Sequence, residues 1–191
     1  MRVYVVDNGG QWTHREWRVL RDLGVEARIV PNTTPFDHLG QVDALVLSGG
    51  APDVASEAAR MGNNGEYLDR ADCPILGICA GMQFMAAHFG GRTGPAARAE
   101  FGRTRLYVDE EDQLFVGIPR EFDVWESHND EVKDVPEGFQ ALAHSETCAV
   151  EAMRSLRRPL YAVQFHPEVE NTAFGTDIFR NFLRAVEEWR R

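Results

Sequence analysis

Residues 75–83 read ILGICAGMQ: a short apolar run, then a cysteine between glycines at 77 and 81. The run Ile75 to Ile78 has the character of a buried strand. Met82, Met85, Ala86 and Phe89 then recur at the spacing of one helix face, ended by Gly90-Gly91. A strand entering a helix through Gly77-Ile78-Cys79-Ala80-Gly81 is the cysteine form of a nucleophile elbow. The glycines allow a bend where a Cβ would clash. Cys79 then stands at the first turn of the helix, whose positive end favours a thiolate. The Ala80 N–H is a free donor at that terminus, placed to hold an oxyanion. Taken alone, these five residues are equally compatible with a packed cysteine beside a glycine-rich helix start.

The chain before the elbow repeats the strand-to-helix pattern. Val3 to Val6 reads as a buried strand ending in Asp7-Asn8-Gly9-Gly10, followed by a helix from about Thr13 to Leu23 closed by Gly24. Val25 to Val30 is a second strand, and Ala44 to Leu47 a third that stops at Ser48-Gly49-Gly50. Beyond the elbow the pattern changes. Short runs at Thr104–Val108, Phe122–Trp125, Gln140–Ala143 and Ala149–Met153 read as antiparallel or mixed strands extending the sheet. Leu160–Phe165 is one more buried strand. Ile178, Phe179, Phe182, Leu183, Val186 and Trp189 mark one face of a C-terminal helix. The expected fold is α/β: an open, mostly parallel sheet flanked by helices, with additional antiparallel strands in the second half. A single domain is expected over residues 1–191. In such sheets, sites lie beyond the carboxyl ends of the strands. Asp7–Gln11, Ser48–Gly50, Cys79–Gln83 and His166–Glu168 all fall there.

Composition narrows the chemistry. Apolar residues make up 43% of the 191, enough for a core. No apolar run of about 18 residues exists to span a membrane. The opening MRVYVVDNGGQ passes straight into a strand without the apolar stretch of a signal peptide, so a cytoplasmic location is expected. The net charge of −10 disfavours nonspecific binding to nucleic acid or to an anionic membrane. Lys133 is the only lysine, a bias that a salt-rich cytoplasm and a GC-rich genome explain equally well. Cys73, Cys79 and Cys148 form no C-x-x-C pair, which argues against a disulfide framework and a structural metal. No metal site is expected.

A cysteine nucleophile needs a base, because a thiol near its reference pKa is only a few per cent thiolate at neutral pH. Cys73 and Cys148 lie in strand-like contexts and read as packing residues. Of the six histidines, His88 falls inside the helix after the elbow and reads as structural. His38 lies in a polar loop, and His14 and His144 carry no strong signal. His166 ends a buried strand and is held extended by Pro167. Glu168, two residues on, projects to the same side, where it can fix the imidazole tautomer and steady an imidazolium. Ser48-Gly49-Gly50 suits a second oxyanion donor. Gln83, one turn after Cys79, can offer an amide to a polar substrate.

Together, LSGG, GICAGMQ and QFHPE, in that order, resemble the class I glutamine amidotransferase family, and the match runs from the first strand to the last helix. Within it, DNGGQ, IVPNTTP, WESHNDEV and AHSETCAVEAM are similar to the branch of separate glutaminase subunits of two-subunit GMP synthetases. The S-H-x-D element Ser127–Asp130 distinguishes that branch from anthranilate-type glutaminases. The resemblance implies that Cys79, His166 and Glu168 are catalytic and that Gly50 and Ala80 donate to the oxyanion. It also implies that Gly49, Gln83, Ser127, His128 and Asn129 bind L-glutamine. The chain carries no S-G-G-x-D-S segment. The ATP and Mg²⁺ chemistry is therefore expected in a separate ATP pyrophosphatase subunit that aminates XMP, with no cofactor in this chain. Three positions depart from the family pattern: Ala51 replaces a proline after the two glycines, Asn129 a glycine, and Ala80 a larger residue. Glutaminase subunits of anthranilate or aminodeoxychorismate synthesis, a stand-alone γ-glutamyl hydrolase and a non-catalytic scaffold are the other readings the sequence leaves open.

Overall fold

A computed structural model describes residues 1–191. In chain order the elements are β1 (Arg2–Asn8), α1 (Thr13–Asp22), β2 (Glu26–Pro31), β3 (Ala44–Gly50), α2 (Val54–Glu57) and α3 (Asn64–Arg70). There follow β4 (Ile75–Ile78), α4 (Ala80–His88), β5 (Arg92–Val108), β6 (Glu121–Asp134), β7 (Phe139–His144), β8 (Ala152–Ser155), β9 (Leu160–Val163) and α5 (Gly175–Trp189). All nine strands lie in one sheet, ordered β2-β1-β3-β4-β9-β8-β7-β5-β6. The first five in that order pair in parallel. From β8 outward every pairing is antiparallel. The expected α/β fold is the observed one, and β9 is the seam between its halves. No helix is long and apolar enough to cross a membrane.

Strand alternation builds two cores from the same strands. Val3, Val5, Val46, Leu76, Ile78 and Val163 face one side, where they meet Leu20 of α1 and Phe179 and Phe182 of α5. Tyr4, Val6, Leu45, Leu47, Ile75 and Leu160 face the other, against Leu68 of α3 and Met82 and Met85 of α4. Full burial of a side chain such as Phe182 contributes roughly 1.5–3 kcal/mol, which is what holds each helix to its face.

Several boundaries differ from the sequence reading. β3 continues through Ser48–Gly50 rather than stopping before them, because Gly50 still pairs with Asn8 across a register shift. β5 and β6 begin or end far beyond the apolar runs at 104–108 and 122–125. They pair with each other from Arg92↔Asp134 to Tyr107↔Glu121, and the buried positions of the added lengths include polar residues such as Glu100, Glu126 and His128, so no apolar alternation marks them. β8 starts at Ala152, so Cys148 lies in the preceding loop and not in a strand, although it is buried. Trp189 belongs to the last turn of α5 but is 50% exposed, past the edge of the core its stripe covers.

Candidate active site

The elbow forms at the end of β4. Cys79 is the N-cap of α4 with φ 49° and ψ −110°, one of two non-glycine residues with positive φ, the other being Phe174. Such geometry costs of order 1–3 kcal/mol and persists only where packing over-determines it. Here the packing is supplied by the flanking glycines. A Cβ at Gly77 would stand 2.9 Å from the Gly81 backbone, and one at Gly81 only 2.2 Å from the Leu47 carbonyl oxygen. The glycines thus let α4 sit directly on β3 and β4, while the unusual dihedral falls on the cysteine itself. Cys79 is anchored by its N–H on the Val163 carbonyl (2.8 Å) and by its carbonyl under the Gln83 N–H (3.0 Å).

His166 follows β9, the neighbour of β4, and its N–H donates to the Trp125 carbonyl (3.0 Å). Its Nδ1 lies 2.7 Å from Glu168 Oε1, with both side chains buried. Gly49 packs against both partners: a Cβ there would meet His166 Cε1 at 3.1 Å and the Cys79 Cβ at 3.6 Å. Burial lowers the imidazole pKa, but the charges of Glu168 and Cys79, with hydrogen bonds donated by the ring to each, outweigh it and push it up to about 10. In this rotamer the Cys79 Sγ contacts the Ser127 carbonyl at 4.0 Å. Trp12 sets its ring edge-on to His166, centroids 4.4 Å apart.

These residues open on a cavity of about 490 Å³ whose lining includes Gly49, Gly50, Ala80, Gln83, Ser127 and Asn129 as well as Cys79, His166 and Glu168. Its glycine-rich wall is built by backbone contact between β1 and β3. A Cβ at Gly10 would meet the Gly49 carbonyl oxygen at 2.4 Å, and one at Gly50 the Asn8 carbonyl oxygen at 2.6 Å. Asn8 fastens the two: its N–H donates to Ser48 Oγ (3.0 Å) and its Nδ2 to the Ser48 carbonyl (2.9 Å). Ala80 opens α4, so its N–H has no partner within the helix. Gln83 Nε2 donates to the Asp130 carbonyl (2.7 Å) and to Gln164 Oε1 (3.1 Å), which leaves its amide oxygen for a ligand.

Each sequence-derived candidate reaches this cavity. His128 does so by its backbone, since its imidazole points away into a buried acidic cluster with Glu100 and Glu126. Alternation along β6 explains the split, with Ser127 and Asn129 on one face and His128 on the other. The other two cysteines are buried thiols: burial pushes Cys73 up to about 12 and Cys148 higher still, as suits packing roles.

Sequence reading missed Glu16. It occupies a core position of α1 beside Thr13 and Leu20, at 1% exposure. A carboxylate on the apolar face of a helix was the signal that would have found it. Its Oε1 accepts from the Gly49 N–H at 3.4 Å, and its Oε2 has no hydrogen-bond partner. Burial, then the charge of Glu168, pushes its carboxyl well above the usual carboxylate range.

The chain is similar to known proteins over its whole length. The profile of the family described as glutamine amidotransferase class-I matches residues 4–186. The chain is 51% identical over 190 residues to a subunit of the glutamine-hydrolyzing GMP synthase of Thermoplasma acidophilum, covering all of this chain and 95% of that protein. It is 50% identical over 188 residues to the subunit of the same name in Thermoplasma volcanium, covering 98% and 93%. A crystal structure of a Thermoplasma acidophilum protein, described as a candidate GMP synthase subunit, superposes with a TM-score of 0.95 at 51% identity, covering 100% of this chain and 96% of that one.

Proposed function

The chain belongs to the glutamine amidotransferase class-I family, and on that premise we propose that it is the glutamine-hydrolysing subunit of a two-subunit GMP synthase, with Cys79, His166 and Glu168 as its triad. The observation that carries the reading is the meeting of these three residues at one cavity, beyond the ends of the adjacent strands β4 and β9.

The geometry supports a two-stage acyl transfer. The Cys79 thiolate, paired with protonated His166, attacks the side-chain carbonyl carbon of L-glutamine. The carbonyl electrons move onto oxygen, where the N–H groups of Gly50 and Ala80 hold the charge. Losing one such donor typically costs about 2.7–4 kcal/mol of transition-state stabilisation. As the tetrahedral centre collapses, the C–N bond breaks and His166 gives its proton to the departing ammonia. The neutral imidazole, oriented by Glu168, then takes a proton from water, which attacks the γ-glutamyl thioester and releases glutamate and the thiolate. Gly49, Gln83 and the Ser127–Asn129 segment hold the glutamine.

Ammonia passes to a separate ATP pyrophosphatase subunit that aminates XMP. ATP and Mg²⁺ act there, and this chain's steps require no cofactor. On this reading the complex works in the cytoplasm. With Ala51 in place of a proline after Gly50, the oxyanion loop is least constrained in the free subunit, and activity depends on docking. The test is ammonia release from glutamine by wild type and Cys79→Ala, each with and without the XMP-aminating subunit, XMP, ATP and Mg²⁺. Wild type alone is slow and rises with the partner, while Cys79→Ala releases none. Equal release by the two chains would overturn the assignment.

A further inference from the structure

Behind β6, on the side away from the cavity, four ionisable side chains converge. His128 Nε2 and one oxygen each from Glu100, Glu126 and Glu151 all lie within 4.8 Å of one another. None of the four residues is more than 6% exposed. No lysine or arginine pairs with any of the three carboxylates; their one basic neighbour is His128, 3.0 Å from Glu100 Oε2 and 3.4 Å from Glu126 Oε2. Both oxygens of Glu126 and both of Glu151 are fully buried with no N–H or hydroxyl donor on them, so that beyond His128 these carboxyls face one another and Glu100. Unpaired buried carboxylates are among the most costly groups a fold can carry.

The histidine tautomer gives this cluster a direction. His128 Nδ1 lies 2.9 Å from the Asp130 carbonyl oxygen, which can only accept, so Nδ1 carries a proton. In the neutral ring the Nε2 lone pair then faces the carboxylate oxygens. That is the arrangement of a metal-ligating imidazole whose other nitrogen is fixed by an outer hydrogen bond. Glu100 is held in the same way: its Oε1 accepts from Ser145 Oγ (2.7 Å) and from Thr147 Oγ1, which leaves Oε2 turned inward. Bonds of about 2.0–2.1 Å place adjacent ligands of a tetrahedral ion about 3.3 Å apart. The separations of 3.0 and 3.4 Å about Nε2 are edges of that size.

We infer that Glu100, Glu126, His128 and Glu151 form a binding site for one divalent transition-metal ion of the Zn²⁺ or Mn²⁺ class. One nitrogen and three carboxylate donors suit such ions, whereas Mg²⁺ favours water-rich octahedra and Ca²⁺ all-oxygen shells. Cysteine spacing gave no hint of it, because the ligands come from β5, β6 and the loop before β8. Its place in the molecule is structural. The ion would pin β6 from behind, fixing the Ser127–Asn129 backbone that lines the cavity. The site does not depend on Cys79 being a nucleophile.

The test uses the full chain, made without a polyhistidine tag, stripped with chelator and dialysed against Zn²⁺ or Mn²⁺. Bound metal is then counted by mass spectrometry after gel filtration. Cys79→Ala is run in parallel, so that a thiolate cannot be the ligand. Wild type and Cys79→Ala should each retain about one equivalent, and Glu126→Gln/Glu151→Gln about a tenth of that or less. Should the double variant not fold, Glu126→Gln alone serves: Mn²⁺ should raise the melting temperature of stripped wild type and leave that of Glu126→Gln unmoved. Substoichiometric metal in wild type overturns the inference, and the cluster is then a proton-sharing carboxyl network. Metal lost with Cys79→Ala, or fully kept by the double variant, overturns it as well.

Discussion

Glu168 Oε1 stands 2.7 Å from His166 Nδ1, inside the protein, and this carboxylate is the charge that most favours the imidazolium. The folded pKa of about 10 lies above the unfolded value near 6.5. The stability His166 contributes is therefore fully present below pH 6.5 and is lost as pH rises through about 10. Glu168→Gln should bring the imidazole midpoint, followed by NMR, down towards the ordinary range. Wild type should show a fall in melting temperature between neutral pH and pH 10, and the variant should lose it. Glutamine hydrolysis should drop by at least about 100-fold as orientation and charge are lost. An unchanged midpoint would remove Glu168 from the triad.

Glu16 gives the opposite pH dependence. Its folded pKa is raised above the unfolded value of 4.5, so the folded state binds the extra proton and stability declines as pH rises above 4.5. Glu16→Gln keeps a neutral, isosteric group on the Gly49 N–H and removes that decline. Denaturant titrations should find the variant level with wild type near pH 4 and more stable at pH 8. Glu16→Ala instead leaves a buried N–H unpaired and should cost about 1–3 kcal/mol near pH 4, and less at pH 8, where wild type has lost the stability its raised carboxyl pKa gives.

Gly81→Ala tests the elbow as packing. Its new methyl would stand 2.2 Å from the Leu47 carbonyl oxygen, backbone that cannot swing aside. We expect a loss of about 1–3 kcal/mol in urea unfolding or more, with α4 displaced from β3. Gly90→Ala, where nothing lies within 4 Å but φ is +90°, serves as a comparison carrying only conformational strain.

Gly50→Ala separates site from fold. The added carbon meets the Asn8 carbonyl oxygen at 2.6 Å at the rim of the cavity, so the loop must shift where the proposed mechanism holds the oxyanion. Glutaminase kcat should fall by roughly 100-fold, in proportion to one lost oxyanion donor. Urea unfolding should register a smaller change than for Gly81→Ala.

What was legible in the sequence followed from local rules. Strands bounded by turn residues and a helix stripe at 82, 85, 86 and 89 placed the parallel half of the sheet, because β1, β3, β4 and β9 are buried and apolar, while the edge strand β2 was marked by its bounding turns. The glycine-cysteine-glycine spacing and the His-Pro-Glu ending singled out Cys79, His166 and Glu168, which line one cavity, since both depend on short-range geometry. The polar halves of β5 and β6 were not legible, because their buried positions include Glu100, Glu126 and His128 rather than apolar residues. The short helices α2 and α3 carry too few turns to show a period. Glu16 and the cluster around His128 were missed for another reason: burial of a charged side chain depends on what arrives from distant strands.

The seam strand has a consequence for synthesis. β9 inserts between β4 and β8, so the sheet stays in two pieces until residues 160–163 leave the ribosome. Cys79 also lacks its anchor on the Val163 carbonyl until then. A nascent chain therefore carries its sulfur through the synthesis of 87 further residues (166 − 79) with no imidazole of His166 beside it, and the two meet only when the last strand closes the gap.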